Sequence, residues 1–313
     1  MRSTLYPEKF VVVIPCYNCE QYIDQCLDSL LAQTFTNWTA LVASDASTDA
    51  TAEGVRPYLD DPRISLCRSP ERQYLMGNTL TALRSLVLGP SDVVAILDGD
   101  DWIRPNCLEK LWQKHCQGYD LVYTDEDIQG QNYSFGGDIL TTVPVRRQSW
   151  RFSHLRSFKG YLFRLLEDDT FRDAHGDYFR AAGDLALYLP MVELAGPEKV
   201  CFIREKLYYY RVHEKCNFKV RRREQLDNNW LIRSRPALVR QTAHFDFSET
   251  VTELGKHEIY ALGQSVRAKY PRPFTVCVEH IIAQEEADSW RAYHNLWIED
   301  GIFFMGKEQA DDG

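Results

Sequence analysis

The sequence predicts an α/β protein: a mostly parallel sheet flanked by helices, with a small C-terminal appendage. Three features carry this expectation. Short apolar runs rich in β-branched residues recur through the first 125 residues, each followed by apolar residues at helical spacing. The connections between them are short, as in strand-helix-strand units. One run, Val93-Val94-Ala95-Ile96, leads straight into Leu97-Asp98-Gly99-Asp100-Asp101. Carboxylates at that position fit the carboxyl-terminal edge of an open parallel sheet, where ligands bind.

Taken in order, Phe10 to Ile14 reads as the first buried strand. Asn18 offers an N-cap, with Gln21 completing a capping box. Tyr22, Ile23, Cys26, Leu27, Leu30 and Leu31 then repeat as one apolar helix face. Thr39 to Ser44 and Ile64 to Cys67 are the next strands. Leu75 to Leu88 is a helix with Leu80, Leu83, Leu86 and Val87 facing inward, and Val93 to Leu97 is the central strand. Leu108, Leu111, Trp112 and His115 mark another helix, and Asp120 to Thr124 another strand. Alternation of this kind predicts a parallel sheet covered on both faces. No Gly-x-Gly-x-x-Gly turn follows the first strand and no phosphate-binding P-loop pattern occurs.

From 128 to 150 the pattern dissolves into polar and glycine-containing sequence, expected to loop over the active face. His154 opens an amphipathic stretch that runs through Leu166. Leu185 to Leu194 is a helix stopped by Gly196-Pro197, with Pro190 expected to bend it. Val200 to Ile203 and Leu207 to Val212 read as two strands. Arg221 to Thr242 is basic and helical, broken at Pro236, and Phe274 to Ile282 and Leu296 to Met305 read as strands. The expected division is a main domain over 1–220 and an appendage over 221–313.

Composition narrows the function classes. A net charge of −9, from 36 Lys and Arg against 45 Asp and Glu, argues against a protein that grips nucleic acid through phosphates. No apolar run approaches the ~20 residues needed to span a bilayer, and residues 1–9 lack a signal-peptide core. A cytoplasmic location is the expectation. Nine scattered cysteines do not form a disulfide framework. Cys16 and Cys19 make a single Cys-x-x-Cys without the second pair of a tetrahedral zinc site.

The chemistry centres on 97–101. Asp98 and Asp100 alternate across Gly99, which lets the backbone turn and brings both side chains toward one point. Clustered carboxylates need a compensating positive charge, and oxygen ligands of this kind suit Mg²⁺ or Mn²⁺ shared with a diphosphate. A solvated Asp-Gly turn is the alternative.

Four stretches together resemble the family 2 glycosyltransferases, an inverting group with the GT-A fold. They are Val-Ile-Pro-Cys-Tyr-Asn at 13–18, Ser-Asp-Ala-Ser-Thr-Asp at 44–49, Leu-Asp-Gly-Asp-Asp at 97–101 and Gly-Asp-Leu-Ala-Leu at 183–187. The resemblance runs from Val11 to Asn217. His154-Leu-Arg-Ser-Phe-Lys159 and the run from Asp184 to Gly196 look like a subgroup with capsule- and surface-glycan members.

The resemblance implies a hexosyltransferase that moves one sugar from a nucleotide sugar, a UDP-sugar by preference, to an acceptor hydroxyl on a glycan or similar molecule. Tyr17 would stack on the nucleobase, Pro15 would lend its carbonyl, and Asp45 would accept the imide N–H of uracil. Asp98 would meet the ribose and Gly99 would help bind the donor nucleotide, while Asp100 and His213 would hold Mn²⁺ or Mg²⁺. Asp184 would be the general base that deprotonates the acceptor. His154 and Lys159 would face that acceptor. For several of these a bland role stays open: Tyr17 packing under a helix, Asp45 in an Asx-turn, Asp184 as an N-cap, His213 as a structural histidine.

Departures from the family pattern are Ala46 where a glycine is usual and Gly183 where a glutamate precedes the base. The Gln-x-x-Arg-Trp signature of processive synthases is also missing, since Gln264-Ser-Val-Arg267 lacks the tryptophan. Two other functions fit the architecture: a sugar-1-phosphate nucleotidyltransferase and a non-catalytic nucleotide- or glycan-binding module. The first wants a Gly-rich basic loop after the first strand, which Pro15 to Glu20 does not offer. Homo-oligomerisation through the C-terminal part is a further expectation.

Overall fold

The computed structural model describes residues 8–89, 91–214, 216–238, 241–244 and 274–277. Parallel pairing starts at the first strand. The apolar run β1 (Phe10–Cys16) is buried along its whole length and pairs in parallel with β2 (Trp38–Asp45), in register Ile14 with Val42 and Cys16 with Ser44. Between them lies α1 (Ile23–Leu31), which packs Ile23, Cys26, Leu27 and Leu30 against the sheet. The short helix α2 (Thr51–Val55) leads to β3 (Ile64–Ser69), parallel to β2. Next come α3 (Tyr74–Ser85) and β4 (Val93–Ile96), the latter on the other side of β1 and again parallel to it. The order β3-β2-β1-β4 thus sets the carboxyl ends of four parallel strands side by side.

Beyond β4 the sheet is mixed. After β5 (Trp102–Ile103), α4 (Cys107–Cys116) and β6 (Leu121–Ile128), the chain returns as β7 (Arg156–Lys159). β7 runs antiparallel to both β4 and β6. The stretch from His154 is therefore a central strand followed by one short helix, α5 (Gly160–Arg164), and not one amphipathic element. Its polar look misleads because Arg156 and Lys159 are buried against carboxylates, Asp184 and Asp120. The sheet ends with α6 (Gly183–Ala195) and β8 (Val200–Tyr210), a single strand where two are expected, parallel to β6 and antiparallel to β5.

Other expectations shift. α1 begins at Ile23 without a side-chain cap: Asn18 sits at φ 52° and its Oδ1 accepts the Thr48 amide at 2.9 Å. α3 stops at Ser85, leaving Val87 87% exposed. Residues 129–150 contribute nothing to the lining of the cleft described below.

Two more helices, α7 (Asn217–Val220) and α8 (Arg222–Ser234), follow the sheet. α8 belongs to the same compact unit, Tyr6–Leu238. Arg146 donates to Ile232 O, and Arg233 Nη1 donates to the carbonyls of Arg146 and Gln148 at 2.8 Å each. The second unit is described only as a pair of parallel strands, β9 (Gln241–His244) and β10 (Phe274–Cys277). The expected strand at 296–305 lies outside the described residues. Among the described residues no helix is long and apolar enough to cross a membrane.

Candidate active site

The carboxyl ends of β1, β2 and β4 open into a cleft of about 820 Å³. Its floor depends on one close approach. The Gly99 amide donates to Pro15 O at 3.1 Å, and a Cβ at Gly99 would stand 2.7 Å from the Cβ of Cys16. Only glycine lets the 97–101 turn lie against the end of β1. The Pro15 carbonyl therefore already accepts one hydrogen bond, and a nucleotide would share it.

The six aspartates of the lining take different roles. Asp101 is buried and clamped: its carboxylate accepts the Tyr208 hydroxyl at 2.6 Å and the Arg211 amide at 2.7 Å. Burial pushes its carboxyl well up, and the charges of Asp100 and Asp98 add to this. This clamp fixes the chain that follows β8. It carries His213 into place, with Nε2 2.8 Å from Asp100 Oδ2 and its ring stacked on Tyr22. Asp98 lies deeper. Burial and the neighbouring Asp100 and Asp184 push its carboxyl up to about 6, against the pull of His154 and Arg156.

Asp184 occupies the first turn of α6 but is not its cap, which is Ala182 at φ 59°. Its Oδ1 accepts the Leu185 amide at 2.9 Å, and Arg156 Nη2 approaches Oδ2 at 3.6 Å. One carboxylate oxygen thus faces a guanidinium at the edge of the cleft, with the side chain still about one-third exposed.

At the ends of β1 and β2, Tyr17 is 40% exposed and Asp45 only 2%. Asp45 Oδ1 accepts the Gln73 amide at 2.6 Å, and Oδ2 lies 3.4 Å from Arg72 Nε. Burial nonetheless raises the Asp45 carboxyl. The Arg72 guanidinium stands 3.0 Å above the Tyr17 ring centroid and so links the two residues. Arg72 is missed by sequence reasoning, and its one signal is a basic residue just past the third strand. Asp49 joins the first two turns, accepting the amides of Thr51 and Glu20.

His154 faces the cleft. Its Nδ1 is 2.7 Å from Glu126 Oε2, its Nε2 is 4.0 Å from Asp98 Oδ2, and its ring stacks on Tyr208. Glu126 is the second residue missed. Burial pushes it up, but His154 outweighs that and leaves it below the ordinary value. Lys159 does not face an acceptor: it is 1% exposed and lies 3.3 Å from Asp120, away from the cleft lining. The strand alternation that points His154 and Arg156 into the cleft places Lys159 on the other face.

Among the described residues no three His, Cys, Asp or Glu side chains gather as a self-sufficient metal site. Cys16 and Cys19 are buried thiols, and burial pushes Cys16 up to about 12.

A cleft at the carboxyl ends of parallel strands is where open α/β sheets bind their ligands. Residues 11–178 match the glycosyl transferase family 2, and the chain belongs to that family. Glycosyltransferase GlyA of Streptococcus pneumoniae is 28% identical over 234 residues, covering 67% of this chain, which spans only 31% of GlyA. Among solved structures, S. aureus TarS in complex with UDP-GlcNAc shares the fold at TM-score 0.53 and 17% identity, covering 83% of this chain and 81% of the TarS chain. Glucosyl-3-phosphoglycerate synthase from Mycobacterium tuberculosis, in complex with Mn²⁺ and UDP, does so at TM-score 0.51 and 16% identity over 72% of this chain and 79% of its own. The mostly parallel, helix-flanked sheet is thus of the GT-A type.

Proposed function

We propose that the protein is a metal-dependent, inverting glycosyltransferase that uses a UDP-sugar and transfers one hexose to an acceptor hydroxyl. The observation that supports this reading is the convergence of Asp98, Asp100, His213 and Asp184 on the lining of one cleft. They come from three separate parts of the chain.

Asp100 and His213 fit a Mn²⁺ or Mg²⁺ ion. Asp100 Oδ2 and His213 Nε2 are a hard and a borderline donor, in direct contact at 2.8 Å, and an ion would replace that contact. With two protein donors, the ion would need further oxygens from diphosphate and water, as is common for Mg²⁺. The ion would neutralise the diphosphate and stabilise the charge that grows on it as the glycosidic bond breaks. Tyr17 stacks on the base, Asp45 accepts its imide N–H, and Asp98 meets the ribose. Asp184 takes the proton from the acceptor hydroxyl, whose oxygen attacks the anomeric carbon from the face opposite the diphosphate. The product is inverted. Uracil as the base is supported by an aromatic face beside a hydrogen-bond-accepting aspartate, and by the UDP in complexes of TarS and of the glucosyl-3-phosphoglycerate synthase.

Incubation with UDP-sugars, Mn²⁺ and a panel of glycan acceptors tests this reading. It predicts free UDP and a glycoside. Pyrophosphate as the product would indicate a nucleotidyltransferase, and no UDP release from any donor would indicate a binding module.

A further inference from the structure

The cleft has two electrostatic poles. One part of its lining carries Asp98, Asp100, Asp101 and Asp184, and another, the basic rim, gathers guanidinium groups around a single ring, that of Tyr74. The guanidinium carbons of Arg180, Arg221 and Arg72 lie 4.6, 4.9 and 5.2 Å from the Tyr74 ring centroid. They arrive from three separate segments: the loop after β3, the loop before α6 and the start of α8. Tyr74 itself begins α3, and the first turns of α3 and α6 touch. A Cβ at Gly183 would stand 3.0 Å from Met76 Cε. The basic rim therefore adjoins the helix start that holds Asp184.

Like charges do not converge without a reason, least of all in a chain with a net charge of −9. Each of the three arginines has a carboxylate near it, Arg72 having Asp45 Oδ2 at 3.4 Å from its Nε. Arg180 has Asp177 at 3.8 Å, and Arg221 has Glu224 at 2.8 Å. The Tyr74 face softens the repulsion. Arg180 and Arg221 nonetheless keep side chains 43% and 28% exposed at the cleft. Guanidinium forks in this setting match phosphate or carboxylate oxygens.

We propose that Arg180 and Arg221, gathered on Tyr74, bind an anionic group of the acceptor, so that the acceptor is a glycan or polyol bearing a phosphate or a carboxylate. The inference rests on the donor reading above, in which the diphosphate is held at Asp100 and His213 and leaves the rim for a second anion. Arg72 bridges both regions, since it also stacks on Tyr17.

Calorimetry on the full chain, saturated with UDP and Mn²⁺, tests it. Glycerol 1-phosphate and glucuronate are the charged probes, with glycerol and glucose as uncharged controls. A charged probe binds the wild type, and its affinity falls by about tenfold or more in the Arg180→Ala/Arg221→Ala double variant, as the loss of charge-assisted hydrogen bonds requires. UDP affinity stays within about twofold of wild type by the same principle, because neither residue contacts the diphosphate. Arg180→Gln/Arg221→Gln repeats the test with packing preserved, and thermal melts confirm that both variants fold. Preference for one probe identifies phosphate or carboxylate. The proposal is overturned if no charged probe binds better than its control. It is equally overturned if UDP affinity falls with probe affinity, which would assign the rim to the donor. Failure of the wild type to bind UDP would instead strike the donor reading, and the same titration without nucleotide would then test the rim alone.

Discussion

His213 Nε2 lies 2.8 Å from Asp100 Oδ2, although 113 residues separate the two in sequence. The contact is built by the buried Asp101, which accepts the Tyr208 hydroxyl and the Arg211 amide and so ties the end of β8 to the 97–101 turn. Adjacent aspartates thus divide the labour, Asp101 positioning the strand that delivers His213 to Asp100.

From this contact follows the metal prediction. UDP affinity, measured by calorimetry, falls by about tenfold or more on adding EDTA and equally in Asp100→Ala or His213→Ala. The double variant is no worse than either single one, because residues that share one ion do not act additively. Unchanged UDP binding in EDTA would refute the assignment.

Asp98 gives a pH prediction. Its carboxyl is raised to about 6 from an ordinary value of 3.8, so between those values the folded chain holds a proton that the unfolded chain has lost. Such a group lowers stability as pH rises through the window, by roughly 3 kcal/mol at most for a shift of this size. Asp98→Asn in the metal-free protein should melt higher than wild type at pH 8, with the gain shrinking as pH falls toward 4. An equal gain at every pH would show that Asp98 does not carry this strain.

The parallel half of the fold was legible because β1, β2 and β4 are buried on both faces and read as apolar runs. β7 was not, because its buried charges are neutralised only in three dimensions, Arg156 against Asp184 and Lys159 against Asp120. The same effect misdirected Lys159, whose partner lies 39 residues earlier in the numbering of that pair. Of the candidate site, Asp98, Asp100, Asp184, Tyr17, Asp45 and His213 all line one cleft. Arg72 and Glu126 went unnoticed because single charged residues carry no pattern until the fold brings Tyr17 and His154 to them.

On the base side, Tyr17→Ala should cost UDP binding ~1–3 kcal/mol, the worth of one stacked base, and leave the melting temperature unchanged. Asp45 differs, because it also accepts the Gln73 amide at 2.6 Å. Asp45→Ala should therefore weaken UDP binding and lower stability together, by ~1–3 kcal/mol for the stranded amide. Asp45→Asn keeps an acceptor for Gln73 and isolates the binding effect. Equal affinity for UDP and GDP in the wild type would exclude recognition of uracil by Asp45.

Asp184 makes the sharpest prediction. It lies in the first turn of α6 and is not the cap, so no N-cap is lost on substitution. Asparagine at this position keeps an oxygen to accept the Leu185 amide, now held at 2.9 Å, and removes only the basicity. Asp184→Asn should fold and melt like the wild type and bind UDP with Mn²⁺ at full affinity, since neither contact uses this carboxylate. Transfer should fall by ~10²–10⁴-fold, the usual worth of a positioned base. Arg156→Lys, which keeps a charge near Asp184 but loses the guanidinium plane held between Trp150 and Tyr188, should lower turnover more than it alters donor affinity. Single displacement at an α-linked UDP-sugar yields a β-linked product, readable from the anomeric proton coupling. Turnover of Asp184→Asn near the wild-type rate would remove this residue as the base, and an α-linked product would remove the single-displacement mechanism whatever residue serves.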